Sequence, residues 1–161
     1  MLDTTQDITR ALRNAFGCFA SGVTVVTLRD GTGAPTGITV NSFSSLSLDP
    51  ALLLFSIGRE QVSAKWFETE EHFNVNVLCR DQEDLAWQFA KPLKDKFAGV
   101  RHSEAINGVA VLDGAMAQFV GEKHALFDGG DHVIVVGRIL DFTTRDGAPL
   151  VFHKGKMCQI V

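Results

Sequence analysis

Turn signals recur at short intervals along this chain, and that feature limits the possible folds more than any other. Beyond Gly108, the pairs and triplets Asp113-Gly114, Asp128-Gly129-Gly130 and Asp146-Gly147 cut the sequence into strand-length pieces: Val109–Leu112, Ala115–Glu122, His132–Thr143 and Met157–Val161. Gly supplies positive φ at such points, and Asp bonds its own backbone. Upstream, Val23–Leu28 is rich in Val and Thr. A loop over Arg29–Thr36 then returns the chain into a second strand, Gly37–Phe43. Asp49-Pro50 breaks the chain before the apolar run Ala51–Ile57, and His72–Cys79 reads as another strand. Many short strands with few helices predict a mainly β domain with flanking helices, an antiparallel barrel or sandwich. A Rossmann arrangement is disfavoured because strands do not alternate with crossover helices and no G-x-G-x-x-G occurs.

The helical patterns are three. Ile8, Leu12, Ala15, Phe16 and Phe19 recur at helical spacing, which predicts an amphipathic helix over 5–20 with Gly22 as its stop. Residues 62–70 form a short second helix. Asp81 is placed to cap a third that runs to Ala90 with acids in its first turn. Lys91–Arg101 is polar and broken by Pro92 and Gly99.

A length of 161 residues implies one domain over 1–161. The formal charge of −4, with no basic run, argues against nucleic acid or anionic membrane as partner. No apolar stretch reaches the ~18 residues of a membrane span. The opening M-L-D-T-T-Q-D has acids where a signal peptide needs bases, so a cytoplasmic location is expected. Cys18, Cys79 and Cys158 are widely spaced and read as reduced, largely buried thiols. Five histidines without an i, i+4 pair or H-E-x-x-H offer no metal site.

Three polar stretches stand out among the strands. The first is G-I-T-V-N-S-F-S-S-L-S-L-D-P, Gly37–Pro50, in which seven residues are Thr, Asn, Ser or Asp. Alternation puts Thr39, Asn41 and Phe43 on one face and Val40 and Ser42 on the other. Such a run supplies hydroxyl and N–H donors to a phosphate or to the polar edge of a heterocycle, or else forms a Ser-rich edge strand and turn. The second is N-V-N-V-L-C-R-D-Q, from Asn74. Its two asparagines are poor strand formers that either bind something or satisfy solvent or a neighbouring loop. The third is Gly129-Gly130-Asp131-His132, where the Asp can fix the turn or orient the imidazole.

In this order, the stretches resemble the short flavin reductases, a family of the FMN-binding split-barrel superfamily. The matching segments are F-x-S-G-V-T-V-V-T (Phe19–Thr27), Gly37–Pro50, N-V-L (Asn76–Leu78), Q-x-x-L-A-x-x-F-A (Gln82–Ala90), K-D-K-F (Lys94–Phe97) and G-D-H (Gly130–His132). They run from Phe16 nearly to the end. Two departures are visible: Ala51 replaces a second proline, and Lys96 replaces an arginine, losing a planar grip on phosphate.

The resemblance implies an antiparallel Greek-key split β-barrel. It also implies a homodimer that passes hydride from NADH or NADPH to FMN or FAD and feeds reduced flavin to a monooxygenase. Thr39, Val40, Asn41 and Ser42 would then line the isoalloxazine, and Ser45, Leu46 and Ser47 would approach the ribityl–phosphate arm. Asn76, Val77 and Leu78 would close the other side with Phe97 nearby, and Lys65 and Lys96 would balance the phosphate. His132 would meet the nicotinamide as binder and orienter. The absence of a Ser-His-Asp or paired-carboxylate pattern suits such chemistry, because the cofactors carry the reaction. Two alternatives are a flavin-binding barrel without nicotinamide turnover and a barrel that serves only as an interaction module.

Overall fold

Val23–Leu28 explains the core before any other element does. In the computed structural model, which describes residues 5–160, this segment is buried on both faces. Strand alternation sends Val26 and Leu28 into one apolar cluster and Val23 and Val25 into another. The first cluster fills the barrel. Phe55, Phe67 and Phe73 meet there edge to face at 5.2–5.9 Å between ring centroids, contacts worth about 0.5–1.5 kcal/mol each beyond their burial. The second cluster lies outside the sheet, beneath a helix that carries Ala86 and Phe89.

The strands are β1 (Ser21–Gly22), β2 (Thr24–Arg29), β3 (Pro35–Val40), β4 (Ser44–Leu48), β5 (Ala51–Gly58), β6 (His72–Val77), β7 (His102–Glu104), β8 (Ala110–Leu112), β9 (Ala117–Gly129), β10 (His132–Thr144), β11 (Val151–His153) and β12 (Lys156–Cys158). Helices are α1 (Thr5–Phe16), α2 (Trp66–Thr69, entered through a 3₁₀ turn, Val62–Lys65) and α3 (Glu83–Ala90). Seven strands form one antiparallel sheet in the order β3-β2-β6-β9-β10-β5-β4; β1-β11-β12 and β7-β8 form two small ones.

The order forces the large sheet to curl. Val40 pairs with Thr24 on β2, yet two residues later Ser42 already bonds Ser56 on β5. Two residues reach at most ~7 Å, whereas seven strands laid flat would separate the outer two by about 29 Å. The edges β3 and β4 are therefore brought together by a single short corner, Asn41–Phe43, as the expected split barrel requires. Gly137 serves the same curvature. A Cβ there would lie 2.2 Å from the Phe73 ring, so β10 passes the core only as glycine.

Several expectations change. The first helix ends at Phe16, followed by Gly17, and Gly22 is a strand residue rather than its stop. Helix α3 starts after a 3₁₀ turn, Arg80–Gln82, where Gln82 rather than Asp81 satisfies the backbone: its Oε1 accepts the Cys79 N–H at 3.0 Å. Strands β9 and β10 are longer than read, 13 residues each, because a two-residue turn joins them. Strand β7 shows no alternation, being exposed throughout, and β11 has only three residues; neither gave a sequence signal. The last expected strand, Met157–Val161, is observed as β12, Lys156–Cys158; Val161 lies outside the described residues with the opening M-L-D-T. Cys79 is buried as expected, but Cys18 is exposed; all three cysteines are free. Among the described residues no helix is long and apolar enough to cross a membrane.

Candidate functional site

The corner between β3 and β4 leaves Asn41 exposed, with no hydrogen bond from its side chain to any other described residue. Two adjoining hollows share Asn41 and Phe152. The larger, about 660 Å³, is walled by α1 and the turn after it (Arg13, Phe16, Phe19) and by the β11–β12 turn (Lys154, Gly155). The smaller, about 200 Å³, lies between Val23, Thr39, Trp87, Ala90 and Met157. The Lys154 N–H donates to Gly17 O at 2.8 Å, which fixes the turn against the helix end. Trp87 is held by its indole N–H, which donates to Glu83 Oε1 at 3.2 Å. The result is a groove with flat apolar walls, an uncommitted amide at its middle and two cations at one end. That donor set fits a planar heterocycle with an anionic tail.

The Gly37–Pro50 residues divide by function. The Thr39 hydroxyl donates to Ala86 O at 2.6 Å and ties β3 to α3, so its side chain flanks the groove while its donor is already committed. Val40 is buried in the barrel core, which leaves only its backbone for a ligand. Ser42 accepts the Ser56 N–H at 2.9 Å and donates to Ser56 O at 3.0 Å, continuing the β4–β5 ladder through a side chain. Ser45, Leu46 and Ser47 lie on edge strand β4, where a bulge leaves Leu46 out of register; Ser45 and Leu46 are exposed. The run is thus a Ser-rich edge strand and corner, with Asn41 and Ser45 left exposed.

The second stretch does not present donors. Asn74 and Asn76 are both 0% exposed. The Asn76 amide donates to Val25 O at 3.0 Å and accepts the Leu112 N–H at 2.8 Å. Asn74 donates to Val109 O at 2.9 Å and accepts from Asn107 at 2.9 Å. These amides anchor the β7–β8 segment to the sheet, a neighbouring-loop role, so the Asn76 side chain is not available to a cofactor. Leu78 is fully buried in the second cluster, and Val77 is half-buried beside it.

Two further assignments are corrected. The Lys96 ammonium donates to Phe89 O at 2.8 Å, capping the last turn of α3, and burial lowers its pKa. A lysine bonded there completes the helix C-terminus, so the partner the structure gives it is a backbone carbonyl. Phe97 is buried edge to face between Phe89 and His102, a core residue. Lys65 is exposed, and the interaction the structure gives it is the Trp66 ring, 4.4 Å from Nζ to the centroid.

His132 opens β10, opposite Gly58, after a two-residue turn with Gly130 at φ 75°. Asp131 Oδ1 lies 2.7 Å from its Nδ1, and Nε2 has no hydrogen bond to another described residue. The hydrogen bond and the charge of His132 lower the Asp131 pKa, with a smaller attraction from Arg13, a groove residue.

Sequence reasoning missed Arg13, Phe16, Phe152, Lys154 and Trp87. The available signal was the apolar stripe of α1, read only as one face of an amphipathic helix. The structure buries none of its residues, and Phe16 is 69% exposed.

Residues 16–161 match the flavin reductase like domain. The chain is 43% identical to the reductase subunit of stachydrine N-demethylase from Rhizobium meliloti, covering 91% of this chain and 64% of that protein. It is 41% identical to an FMN reductase (NADH) from Agrobacterium fabrum, covering 91% and 83%. An NADH:FAD oxidoreductase of Streptomyces globisporus, solved with NAD and FAD fragments, superposes with a TM-score of 0.91 at 33% identity, covering 100% of this chain and 97% of that one. Of the first curated relatives it matches, the chain spans 47% to 64% of the length. By sequence match and superposition alike, the chain belongs to the flavin reductase like domain family.

Proposed function

We propose that this chain is an NAD(P)H-dependent flavin reductase, taking hydride from NADH or NADPH to FMN or FAD and supplying reduced flavin to a partner monooxygenase. The observation that carries the reading is the groove centred on Asn41, with flat apolar walls around an uncommitted amide. The activities named for the relatives agree with it. The bound flavin and nicotinamide supply the hydride chemistry themselves. This chain's residues position them. Trp87, Phe152 and the backbone of Thr39–Ser42 bound the heterocycle, the Asn41 amide bonds its polar edge, and Ser45 and Ser47 with Arg13 or Lys154 receive the anionic arm. His132 orients the nicotinamide through Nε2, the ring being held at Nδ1 by Asp131.

A homodimer accompanies this proposal. Helix α1 presents Ile8, Leu12 and Phe16 uncovered, and Leu48 on edge strand β4 is 97% exposed. A single chain leaves that apolar area in water, and a second copy would cover it. Sedimentation should give twice the chain mass; a monomer at micromolar concentration overturns the dimer. The enzymatic test is anaerobic oxidation of NADH and of NADPH against FMN, FAD and riboflavin. Flavin binding without nicotinamide oxidation would leave a flavin-binding protein.

A further inference from the structure

We propose that Arg59 is the positioning residue for His132, acting through the tip of the β9–β10 hairpin. Strand β5 ends at Gly58, opposite His132, and Arg59 follows directly. Its backbone N–H donates to Asp131 O at 2.9 Å. Its side chain reaches both sides of the turn: Nε donates to Gly130 O at 2.9 Å, and Nη2 lies 2.5 Å from Asp128 Oδ1. One planar fork thus holds the end of β9 and the turn together, a geometry a lysine cannot reproduce. The segment it grips contains Gly129 and Gly130, which by themselves leave the backbone loosely determined.

Magnitude separates this role from plain stabilisation. The Arg59 and Asp128 side chains are 47% and 82% exposed, and an exposed ion pair contributes little to folding. The effect of losing Arg59 therefore falls on where the imidazole stands. The inference rests on His132 meeting the nicotinamide, and the experiment separates the two claims.

The KM for NADH, the flavin Kd and Tm are measured for Arg59→Gln, Arg59→Lys, His132→Ala and the double variant His132→Ala/Arg59→Gln. Hydrogen exchange over residues 126–134 is followed alongside. Arg59→Gln should raise KM roughly fivefold and speed exchange at the tip, with flavin Kd and Tm held, and Arg59→Lys should not rescue it. On the His132→Ala background the same change should add nothing. Unchanged exchange, an unchanged KM, or a full effect on that background overturns the role of Arg59 while leaving His132 in place; the last outcome would put Arg59 on the nucleotide itself. An unchanged KM in His132→Ala removes the nicotinamide reading of His132, and the Arg59 inference with it.

Discussion

Gly37–Pro50 and Asn74–Leu78 look alike as sequence, each a polar run set among hydrophobic strands, yet the fold uses them in opposite ways. Strand β3 is an edge, and the chain beyond it turns a corner to reach the other edge of the sheet, so Asn41 and Ser45 there face water or the groove. Strand β6 is interior, flanked by β2 and β9 and covered by β8, so its asparagines have only protein to bond. Polar residues in a strand mark a binding surface only where the strand runs out of neighbours. In the interior the same residues hold a connecting segment in place, because an unpaired buried amide is costly.

The comparison breaks most readily at Asn76. Replacing it by Ala strips the buried Leu112 N–H of its acceptor and should cost about 3 kcal/mol, lowering Tm by roughly 6–12 °C in a chain this long. Urea and thermal unfolding measure this, with flavin affinity of the folded protein unchanged. Normal stability with lost flavin binding would move Asn76 into the site.

The paired change Asn41→Ala with Ser45→Ala should do the reverse. Two lost hydrogen bonds of about 1 kcal/mol each weaken flavin binding roughly 30-fold by isothermal titration, while stability stays within about 0.5 kcal/mol. An unaltered Kd would take the corner out of the site.

The hairpin tip extends the comparison to a third polar segment, exposed like the corner. His132→Ala should raise the NADH KM about fivefold, a loss of about 1 kcal/mol of binding, with flavin Kd nearly intact. Steady-state kinetics beside a flavin titration separate the two, and an equal loss of both would merge the hairpin with the flavin wall.

The smallest effect concerns Asp131, whose carboxyl is held below its ordinary 3.8 by His132. A carboxylate with a depressed folded pKa adds stability above its unfolded value and loses it as pH falls through the folded one. Asp131→Asn should therefore remove a small stability present at neutral pH and flatten the acid limb below 3.8, the two proteins converging in strong acid. An acid limb identical to that of the parent would mean the contact does not persist in solution.

Much of this fold is legible in the residues, for local reasons. The Val- and Thr-rich strand at 23–28, the break at Asp49-Pro50 and the turn at Gly130 each follow from backbone preferences of the residues themselves. The site was half legible. Asn41, Ser45 and His132 occupy positions where a ligand could reach them. Asn76, Ser42, Lys96 and Phe97 carry suitable chemistry, but their partners Leu112, Ser56, Phe89 and His102 are distant or unsignalled in the chain. No pattern within a strand announces which donor is already bonded.

By itself, the sequence determined an antiparallel β domain, its family and the segments that concentrate polar chemistry, because periodicity and turn residues act over a few positions. Only the tertiary structure decided which of those polar groups remain free. That depends on strand order: β3 becomes an edge and β6 an interior strand through contacts made far along the chain. The same polar side chain is a ligand's partner at one place and a structural bond at the other.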